Sequence, residues 1–427
     1  MIFMKTQIQT VKGTREFYPE DMAVRRWLYS LIEEVSTSFG FQEYDGPFIE
    51  KIDLYAAKSG EELVKEQAFV FADRGGDLVT LRPELTPSLA RMVAARQNEL
   101  IFPLRWWSFG NFWRYEKPQK GRTREFFQWN IDTIGVNTPE ADAEMIAICA
   151  TFLKKAGVTP EQIAIKVNHR RLMEEKIAEL GISASLKPEV FKLIDRIDKM
   201  SREAWAQTAG EIGLSEEQIT NLTTLVNDHE LWKKSPELTR VFAALEYLGV
   251  SGYVTYDPRI IRGLDYYTGT VFEAWDMGGE GRAVLGGGHY DNLVGDVGGK
   301  PLAGVGFAMG DVMITLLLKK YGLVPELSQN KDSVLVTIFD EVGMPASIAL
   351  SAGLREQQLR VILYPEEGKL QKQFKYADRM GIRVVVVLGP DEIEAGNVTI
   401  KDLKDHIQVT VPTEMAELVI RGMLAPQ

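Results

Sequence analysis

Hydrophobic residues recur at helical spacing near the start of the chain. Between Glu20 and Phe39 apolar side chains return every three or four positions, which predicts an amphipathic helix, and Gly40 suits its end. The segment "FVFADRGGDLVTLRP" predicts two strands around an Arg-Gly-Gly turn. Thr86 and Pro87 follow it, and they predict the N-cap and first position of a second helix, "SLARMVAARQ".

Two longer strands are predicted around a charged loop. Residues 104–115 and 125–134 have the composition of strands, and the connection between them contains Pro118 and Gly121. A connection this short joins antiparallel strands, whereas parallel strands need a long crossover. The segment "RYEKPQKGRTREFFQWN" concentrates positive charge at this loop in Arg114, Lys117, Lys120, Arg122 and Arg124.

The pattern changes after residue 172. Residues 173–248 are charged and helical and show no strand signal, which predicts an inserted helical unit. Strand and glycine signals return from Tyr253 to "LAGVGFAMGDVMITLLLKKYG", and the polar segment "LVPELSQNK" predicts a linker. Beyond the linker, three strands alternate with helices up to a terminal helix. This alternation is typical of a small α/β domain with a largely parallel sheet.

Composition narrows the class of protein. A chain of 427 residues exceeds one ordinary core, so we expect two or three domains. Cys149 is the single cysteine, which excludes an internal disulfide and favours a reducing, cytoplasmic compartment. Its apolar helical surroundings predict a buried, inert thiol. No targeting segment and no run of about 18 apolar residues is present, so we expect neither secretion nor a membrane span.

The basic loop stands out because the whole chain carries a formal net charge of -11. Such a balance argues against a protein coated in nucleic acid but allows a local basic groove. Arg114 and Gln128 would lie on neighbouring strands, and a guanidinium group pairs bidentately with phosphate or carboxylate. Phe126 and Phe127 could offer a flat face to a nucleotide base. These features favour a site for an anionic ligand over the alternative of a solvated hairpin loop.

Two further segments carry candidate polar groups. In "LRPELTPSLARM", the Glu84 carboxylate could bind an ammonium group, although Glu84 and Thr86 could instead only cap the helix. In "RGLDYYTGTVFE", Arg262 precedes Tyr266 and Tyr267, which together with Asp265 could line a polar pocket. The alternative is a simple hairpin with surface tyrosines.

The segment "GGGHYDNL" allows close approach of the backbone to a ligand, because glycine adds no side chain. It matches neither of the two common phosphate-binding glycine motifs. We interpret His289 as a hydrogen-bonded structural residue. The four histidines are scattered, so neither a zinc cluster nor a Ser-His-Asp arrangement is indicated.

Taken in order, these segments resemble the histidyl-tRNA synthetases, a family of class II aminoacyl-tRNA synthetases. "KGTREFYPEDM" is similar to the family's opening segment, and residues 41–50 are similar to the first class motif, which helps to form the dimer. "FWRYEKPQKGRTREFFQ" resembles the second class motif and "LAGVGFAMG" the start of the third. "RGLDYYTG" and "GGGHYD" resemble two histidine-specific motifs, and "GKLQKQFKYADRMGI" resembles the C-terminal anticodon-binding domain.

The resemblance covers nearly the whole chain and implies a fold. We expect an α+β catalytic domain with a mainly antiparallel sheet flanked by helices, a helical insertion, and a C-terminal α/β domain with a mostly parallel sheet. The implied boundaries are 1–172 and 249–322 for the catalytic domain, 173–248 for the insertion, 323–331 for the linker and 332–427 for the anticodon-binding-like domain.

The resemblance also implies an activity and partners. The enzyme would activate L-histidine with ATP to histidyl-adenylate and pyrophosphate, and then transfer histidine to the 3' end of its tRNA. ATP would be a substrate, Mg²⁺ would assist, and the enzyme would be a cytoplasmic homodimer with no membrane contact. The resemblance leaves the metal ligands open.

Roles for individual residues follow from the same resemblance. Arg114 and Arg262 would be catalytic, with Arg262 stabilising the transition state as the histidine carboxylate attacks the α-phosphate. ATP would contact Arg114, Glu116, Arg122, Phe126 and Arg262. Histidine would contact Glu84, Leu85, Thr86, Arg114, Gln128, Asp132, Arg262, Tyr266 and Tyr267. Adenylation of this kind depends mostly on positioning and on positive charge at the phosphates.

Two departures from the family pattern are visible. The third class motif usually ends in an arginine that contacts ATP, but Met313 stands there, and the nearby Asp311 would repel phosphate unless a metal intervened. His289 stands where arginine is common. The missing arginine favours an alternative, a non-catalytic histidine-sensing paralogue such as the regulatory subunit of ATP phosphoribosyltransferase. A class II synthetase for another amino acid is a third possibility, against which the tyrosine pair argues.

Overall fold

A computed structural model describes residues 8–56, 66–119, 121–261, 266–279, 283–327 and 330–425. The chain divides into two units. The first takes in residues up to 16 and 27–325, and the second takes in 17–26 and 326–427.

The elements of the first unit follow the predicted order. Its described strands are β1 Gln42–Glu43, β2 Ile49–Lys51, β3 Phe69–Ala72, β4 Leu78–Leu81, β5 Leu104–Trp113, β6 Glu125–Ile134, β7 Ile163–His169, β8 Val254–Tyr256, β9 Thr270–Asp276, β10 Ala283–Tyr290 and β11 Gly304–Gly310. Its described helices are α1 Pro19–Ser38 (from Trp27 onward), α2 Asp53–Ala56, α3 Thr86–Arg96, α4 Pro139–Lys155, α5 Arg170–Glu179, α6 Lys187–Asp195, α7 Arg202–Glu211, α8 Glu216–Leu225, α9 Pro236–Tyr247 and α10 Asp311–Lys320.

The main sheet of this unit is mainly antiparallel, as predicted. Within the described residues its strand order is β1-β5-β6-β11-β10-β9-β7-β8. The pairs from β5 to β7 are antiparallel, and only the outer pairs β1–β5 and β7–β8 are parallel. The sequence forms this pattern because short connections join β5 to β6 and β9 to β10, and such connections allow only antiparallel neighbours.

Helix α4 closes one face of the sheet. Its buried side chains include Cys149 and Phe152, and the Phe152 ring lies 5.3 Å from that of Trp129 on β6. Burial raises the pKa of the Cys149 thiol well above its usual value. The prediction of a buried, inert cysteine is confirmed.

Helices α5 to α9 follow one another between β7 and β8, where the sequence predicts an inserted helical unit. Serine begins three of them: the hydroxyl oxygens of Ser201, Ser215 and Ser235 each accept a hydrogen bond from a backbone N–H three residues on. Each cap satisfies a donor that a helix start leaves unpaired.

A second, three-stranded sheet has the order β2-β4-β3 and contains the predicted hairpin of β3 and β4. Helix α3 follows β4. Its N-cap is Leu85 rather than the predicted Thr86, and no side chain caps it. Thr86 is instead the first helical residue, with Pro87 in the first turn, where its missing N–H costs nothing.

The second unit is an α/β domain whose sheet has the order β13-β12-β14-β15-β16. Its strands are β12 Ser333–Val336, β13 Arg360–Leu363, β14 Val384–Val387, β15 Asn397–Asp402 and β16 Ile407–Pro412, and its helices from residue 326 onward are α11 Met344–Glu356, α12 Leu370–Arg379, α13 Pro390–Ala395 and α14 Ala416–Leu424.

This sheet is mixed rather than mostly parallel. The three strands that the sequence predicts, β12 to β14, pair in parallel through helical crossovers. Strands β15 and β16 were not predicted, and they add two antiparallel pairs. They are joined by a short turn in which His406 has a φ of 56°, and a turn of this length permits only antiparallel pairing.

Among the described helices, none combines the length and apolar character required to cross a membrane.

Candidate active site

A cavity of about 290 Å³ lies on the main sheet of the first unit. It is lined by residues of β6, β10, β11 and α10, by the start of α3 and by the basic loop, which we define as residues 114–124. Ten of the predicted site residues line it: Glu84, Thr86, Arg114, Glu116, Arg122, Phe126, Gln128, Asp132, Tyr266 and Tyr267. The hypothesis of a single shared site therefore has a geometric basis.

Strand β6 supplies the floor of the cavity. Successive side chains of a strand point to opposite faces. Phe126, Gln128 and Asp132 accordingly line the cavity together, whereas Trp129 and Ile131 are fully buried in the core on the opposite face.

Arg114 lies at one end of the cavity and is fixed by two contacts. Its Nε donates to the carbonyl oxygen of Pro83 at 2.9 Å, and its guanidinium carbon lies 5.4 Å from the centre of the Phe126 ring. The Phe126 ring in turn stacks on Phe112 at 5.9 Å. The arginine and the aromatic ring are thus held side by side, as an anionic ligand with an attached base requires.

The arginines of the basic loop have two different roles. Arg122 lines the cavity and forms an ion pair with Glu116 at 2.9 Å. Arg124 braces the loop instead, because its Nε donates to the Glu116 carbonyl at 3.2 Å and its guanidinium lies 4.0 Å from the Tyr115 ring centre. Lys120 lies outside the described residues.

Residues 13–15, which we call the strap, hold the basic loop and α10 together. The carbonyl oxygen of Gly13 accepts from Arg124 N at 2.8 Å. Gly13 has a φ of 90°, and a Cβ on it would lie 2.8 Å from Arg124 Cγ, so the position requires glycine. Arg15 Nη2 donates to both carboxylate oxygens of Asp311, at 3.1 and 2.9 Å.

The expectation that Asp311 repels phosphate is wrong. Its buried carboxylate is neutralised by Arg15 and also accepts the backbone N–H of Phe127 at 2.9 Å. Asp311 therefore anchors β6 rather than facing a ligand. Met313, which occupies the place of the usual arginine, lines the cavity and packs against Gly121 at the tip of the basic loop.

Asp132 and three tyrosines form the other end of the cavity. Tyr290 donates its hydroxyl to Asp132 Oδ1 at 3.0 Å. Burial raises the pKa of Asp132 to about 7, and the Tyr290 hydrogen bond opposes this rise. The ring of Tyr266 lies 4.9 Å from Tyr267 and 6.3 Å from Tyr290. Since Tyr267 is buried, the alternative of surface tyrosines is wrong.

One predicted position is absent from the cavity lining, and two others lie outside the described residues. The Leu85 side chain is fully buried in the core and does not line the cavity. Arg262 and Asp265 lie outside the described residues. The neighbouring Glu84 is only 6% exposed, and its carbonyl oxygen accepts from the Tyr55 hydroxyl at 3.3 Å.

Sequence reasoning missed several lining residues. Asn130 shares the face of Gln128 and Asp132, and extending the period of two along β6 would have found it. Tyr290 directly follows His289, but only its alternation on β10 marks it as the cavity residue of the two. Met313 was noted from the sequence only as the place of a missing arginine, because a methionine at helical spacing is typical of a core position and gives no signal of its own for a cavity lining.

His289 is buried and its Nδ1 lies 2.8 Å from Asp142 Oδ1. It is absent from the cavity lining. The interpretation of His289 as a hydrogen-bonded structural residue is confirmed.

Among the residues that the structure describes, no group of three histidine, cysteine, aspartate or glutamate side chains could hold a metal ion. Mg²⁺ usually binds through one or two carboxylates together with substrate phosphates. The carboxylate of Glu116, at the Arg122 side of the cavity, fits an ion that arrives with a phosphate ligand.

A mainly antiparallel sheet that carries this cavity beside an arginine-bearing loop, in a chain that also has a separate α/β unit, is the architecture of a class II aminoacyl-tRNA synthetase. Residues 13–312 match the family model "Histidyl-tRNA synthetase", and residues 332–422 match "Anticodon binding domain". The chain belongs to the histidyl-tRNA synthetase family.

Relatives from distant lineages share most of the chain. The histidine–tRNA ligase of Thermoplasma volcanium is 38% identical over 433 residues, which cover 98% of each chain. The chloroplastic/mitochondrial histidine–tRNA ligase of Arabidopsis thaliana is 37% identical over 417 residues, covering 95% of this chain and 85% of its own. The crystal structure of histidyl-tRNA synthetase from Nostoc sp. PCC 7120 superposes with a TM-score of 0.83 at 26% identity, covering 98% of this chain and 100% of that one.

The strap makes a prediction about stability. Replacing Arg15 by Ala leaves the Asp311 carboxylate, which is 7% exposed, without its ion pair. We expect the free energy of unfolding to fall by on the order of 2 kcal/mol, a discount from a fully buried pair because Arg15 is partly exposed. Urea denaturation measures the change.

A double variant makes this test specific. Asp311→Asn keeps an acceptor for the Phe127 N–H, so in the Arg15→Ala background it should restore most of the lost stability. Arg96→Ala is the control, because its ion pair with Glu99 is exposed and contributes little. Equal losses in Arg15→Ala and Arg96→Ala would contradict the role of the strap.

Proposed function

We propose that this cavity joins L-histidine to ATP and that the chain is a histidine–tRNA ligase. The observation that carries the proposal is that one cavity combines Arg114 and Phe126 at one end with Asp132 and Tyr266 at the other. The pair of Arg114 and Phe126 suits a nucleoside triphosphate, and the pair of Asp132 and Tyr266 suits a cationic amino acid with a polar ring. Membership of the histidyl-tRNA synthetase family supports the same activity.

Arg114, Arg122 and Phe126 form the ATP end. The Phe126 ring stacks on adenine, Arg114 binds the α-phosphate, and Arg122 together with Glu116 meets the outer phosphates. Mg²⁺ bound with ATP supplies further neutralisation of phosphate charge. Because α10 presents Met313 rather than arginine, the fixed positive charge that the described lining offers to the phosphates comes from the basic loop.

The other end holds histidine for attack. Glu84, Thr86 and Gln128 accept and orient the α-ammonium group, while Asp132, Tyr266 and Tyr267 surround the imidazole end. A histidine carboxylate oxygen then attacks the α-phosphorus, a phosphorus–oxygen bond forms, and the bond to pyrophosphate breaks. The resemblance assigns stabilisation of this transition state to Arg262 as well as Arg114.

The second step transfers histidine to tRNA. A hydroxyl at the 3' end of the tRNA attacks the carbonyl carbon of histidyl-adenylate, and AMP leaves. The match of residues 332–422 to an anticodon-binding domain supports tRNA as the acceptor, and a purely histidine-sensing paralogue would have no use for that domain. The domain boundaries implied by the resemblance, with the insertion at 173–248 and the linker at 323–331, remain part of this proposal.

We also propose that the protein is a homodimer. The sheet of β2, β3 and β4, with Phe48 just before it, exposes apolar side chains to between 41% and 55%: Phe48, Ile49, Val70, Phe71 and Leu78. The strand pairing places Ile49 and Phe71 on one face of this sheet and Val70 and Leu78 on the other. Several exposed apolar side chains on one small sheet favour a protein–protein interface. A cytoplasmic location is proposed in addition, because the one cysteine is a buried thiol; fractionation of cells would test it.

The dimer proposal predicts the effect of one charge. Phe71→Glu places a carboxylate in the exposed apolar surface, and desolvating it on association is costly. Sedimentation velocity should give twice the chain mass for the wild type and a shift toward the single chain for Phe71→Glu. Leu418→Glu is the control, since Leu418 is more exposed, at 62% against 44% for Phe71, and lies on α14. A wild-type protein that sediments as a single chain would refute the dimer.

The activity itself is tested by pyrophosphate exchange. We expect exchange of labelled pyrophosphate into ATP only when histidine is present. Arg114→Ala should lower the exchange rate by at least about 100-fold, because charge stabilisation at the reacting phosphate is lost. Histidine binding without any exchange in the wild type would instead support the histidine-sensing alternative.

The pKa of Asp132 predicts a pH dependence. Its carboxylate is neutral below a pKa of about 7 and becomes an anionic hydrogen-bond acceptor for the imidazole N–H of histidine as the pH rises through that value. The KM for histidine should therefore fall about tenfold between about pH 6 and about pH 8. Tyr290→Phe removes the hydrogen bond that lowers the pKa, so the midpoint should move to higher pH.

The control for this profile is Tyr29→Phe. The Tyr29 hydroxyl donates to Glu43 at an exposed site and is absent from the cavity lining. Its pH profile should match that of the wild type. A Tyr290→Phe midpoint at or below the wild-type value would show that Asp132 does not control histidine binding.

A further inference from the structure

A buried histidine–aspartate pair lies behind the strand that ends in Tyr290. His289 on β10 faces Asp142 on α4, with 2.8 Å between Nδ1 and Oδ1, and the two side chains are 5% and 7% exposed. Because neighbouring side chains on a strand point to opposite faces, Tyr290 lines the cavity while His289 points away from it. The pair is therefore positioned to support the cavity without touching a ligand.

The His289 ring packs against the segment that carries the two cavity tyrosines. A Cβ on Gly269 would lie 3.1 to 3.2 Å from atoms of the His289 side chain. The backbone N–H of Thr268 donates to the His289 carbonyl oxygen at 2.8 Å. At the preceding position of β10, a Cβ on Gly288 would lie 2.9 Å from Tyr267 Cδ1. The residue His289 thus lies directly against residues 268 and 269, and its strand neighbour Gly288 closely approaches Tyr267.

Several charged groups surround the pair. Asp291, just beyond β10, lies 3.5 Å from His289 Nε2 and is itself paired with Arg171 of α5 at 2.6 Å. Burial lowers the pKa of His289, but the hydrogen bond and charge of Asp142, assisted by Asp291 and opposed by Arg171, raise it above its usual value.

The pKa of a second histidine near the pair is shifted in the opposite direction. His169, at the end of β7, accepts from Leu172 N through Nδ1 at 3.4 Å. Burial lowers the pKa of His169 despite the charges of Glu237 and Asp142. The two histidines therefore differ: Asp142 raises the pKa of His289 against the effect of burial, whereas burial lowers the pKa of His169.

We propose that the His289–Asp142 ion pair is a positioning device for the histidine subsite, which locks the Tyr266–Tyr267 segment in its binding geometry. The inference rests on the proposed function, since it concerns affinity for histidine. Neither residue is catalytic. Their effect reaches the substrate through Gly269, Thr268 and the tyrosines that follow Arg262 in the sequence.

The ion pair gives histidine binding an alkaline limit. A raised pKa means that the pair is charged below that value and loses its charge as the pH rises through it. The KM for histidine should then rise as the pH passes through the raised pKa of His289, opposite in sign to the effect of Asp132. The substrate's own amino group titrates at alkaline pH, but it does so equally for every variant.

The test compares full-length variants by pyrophosphate exchange, with calorimetric titration of histidine as a second measurement. His289→Gln should raise the KM for histidine by at least about tenfold, the loss of a hydrogen bond to a charged group, and leave the KM for ATP within about twofold. Asp142→Asn should reproduce this split. His229→Gln is the matched control, because His229 is exposed and lies in the segment after α8.

His289→Arg distinguishes positioning by charge from simple packing. Arginine stays protonated at every pH used, so this variant should retain histidine affinity and lose the alkaline rise in KM beyond that of the substrate amino group. If arginine does not fit and the variant fails to fold, the isosteric Asp142→Asn supplies the same readout through loss of the alkaline rise.

Two results would overturn the proposal. One is an equal rise in KM for histidine and ATP in His289→Gln, which would indicate general structural damage. The other is an unchanged histidine affinity and an unchanged pH profile in both His289→Gln and Asp142→Asn. If the wild type binds histidine in the calorimeter but shows no exchange, the proposed activity fails while the affinity prediction is still decided by the titrations.

Discussion

The pairing of β6 between β5 and β11 is the constraint on which the cavity depends. Antiparallel registry places Phe126 opposite Phe112 and Asp132 opposite Gly306. A Cβ on Gly306 would stand 2.6 Å from Asp132 Cγ, so a glycine on β11 makes room for the carboxylate. A slip of one residue would turn the whole polar row of β6 into the core, because side chains alternate with a period of two. The register of the sheet therefore determines which side chains the cavity presents to a ligand.

The charge around the cavity depends on how charged residues are paired and not on the net charge of the chain. The chain carries a net charge of -11, yet its cavity presents Arg114 and Arg122. The carboxylate of Asp311 is paired with Arg15 and lies outside the cavity lining, whereas that of Glu116 is paired with Arg122 within it. Pairing of neighbouring anions with cations limits how far those anions offset a local positive charge in an acidic protein.

The sequence predicts what depends on local pattern. Periodicity and turn residues predict the β5–β6 hairpin, the basic loop and the alternation of strands and helices after residue 331. The resemblance to family motifs predicted side chains that the structure places in one cavity. The partner of Asp311 could not be predicted, since Arg15 lies 296 positions away and such a pair leaves no periodic trace. The histidine contact of Leu85 rests on the resemblance alone, since its side chain is buried in the core and gives no local signal of a cavity position. The β15–β16 hairpin was overlooked for the different reason that its turn lacks glycine and proline.

The strap has a practical consequence for anyone who handles the protein. Gly13 holds the loop that carries Arg114 and Arg122, and Arg15 holds α10 through Asp311. A purification tag or fusion partner inserted next to the strap would act on the same backbone that fixes the arginines. Attachment after α14 avoids that backbone and is the better choice for kinetic work.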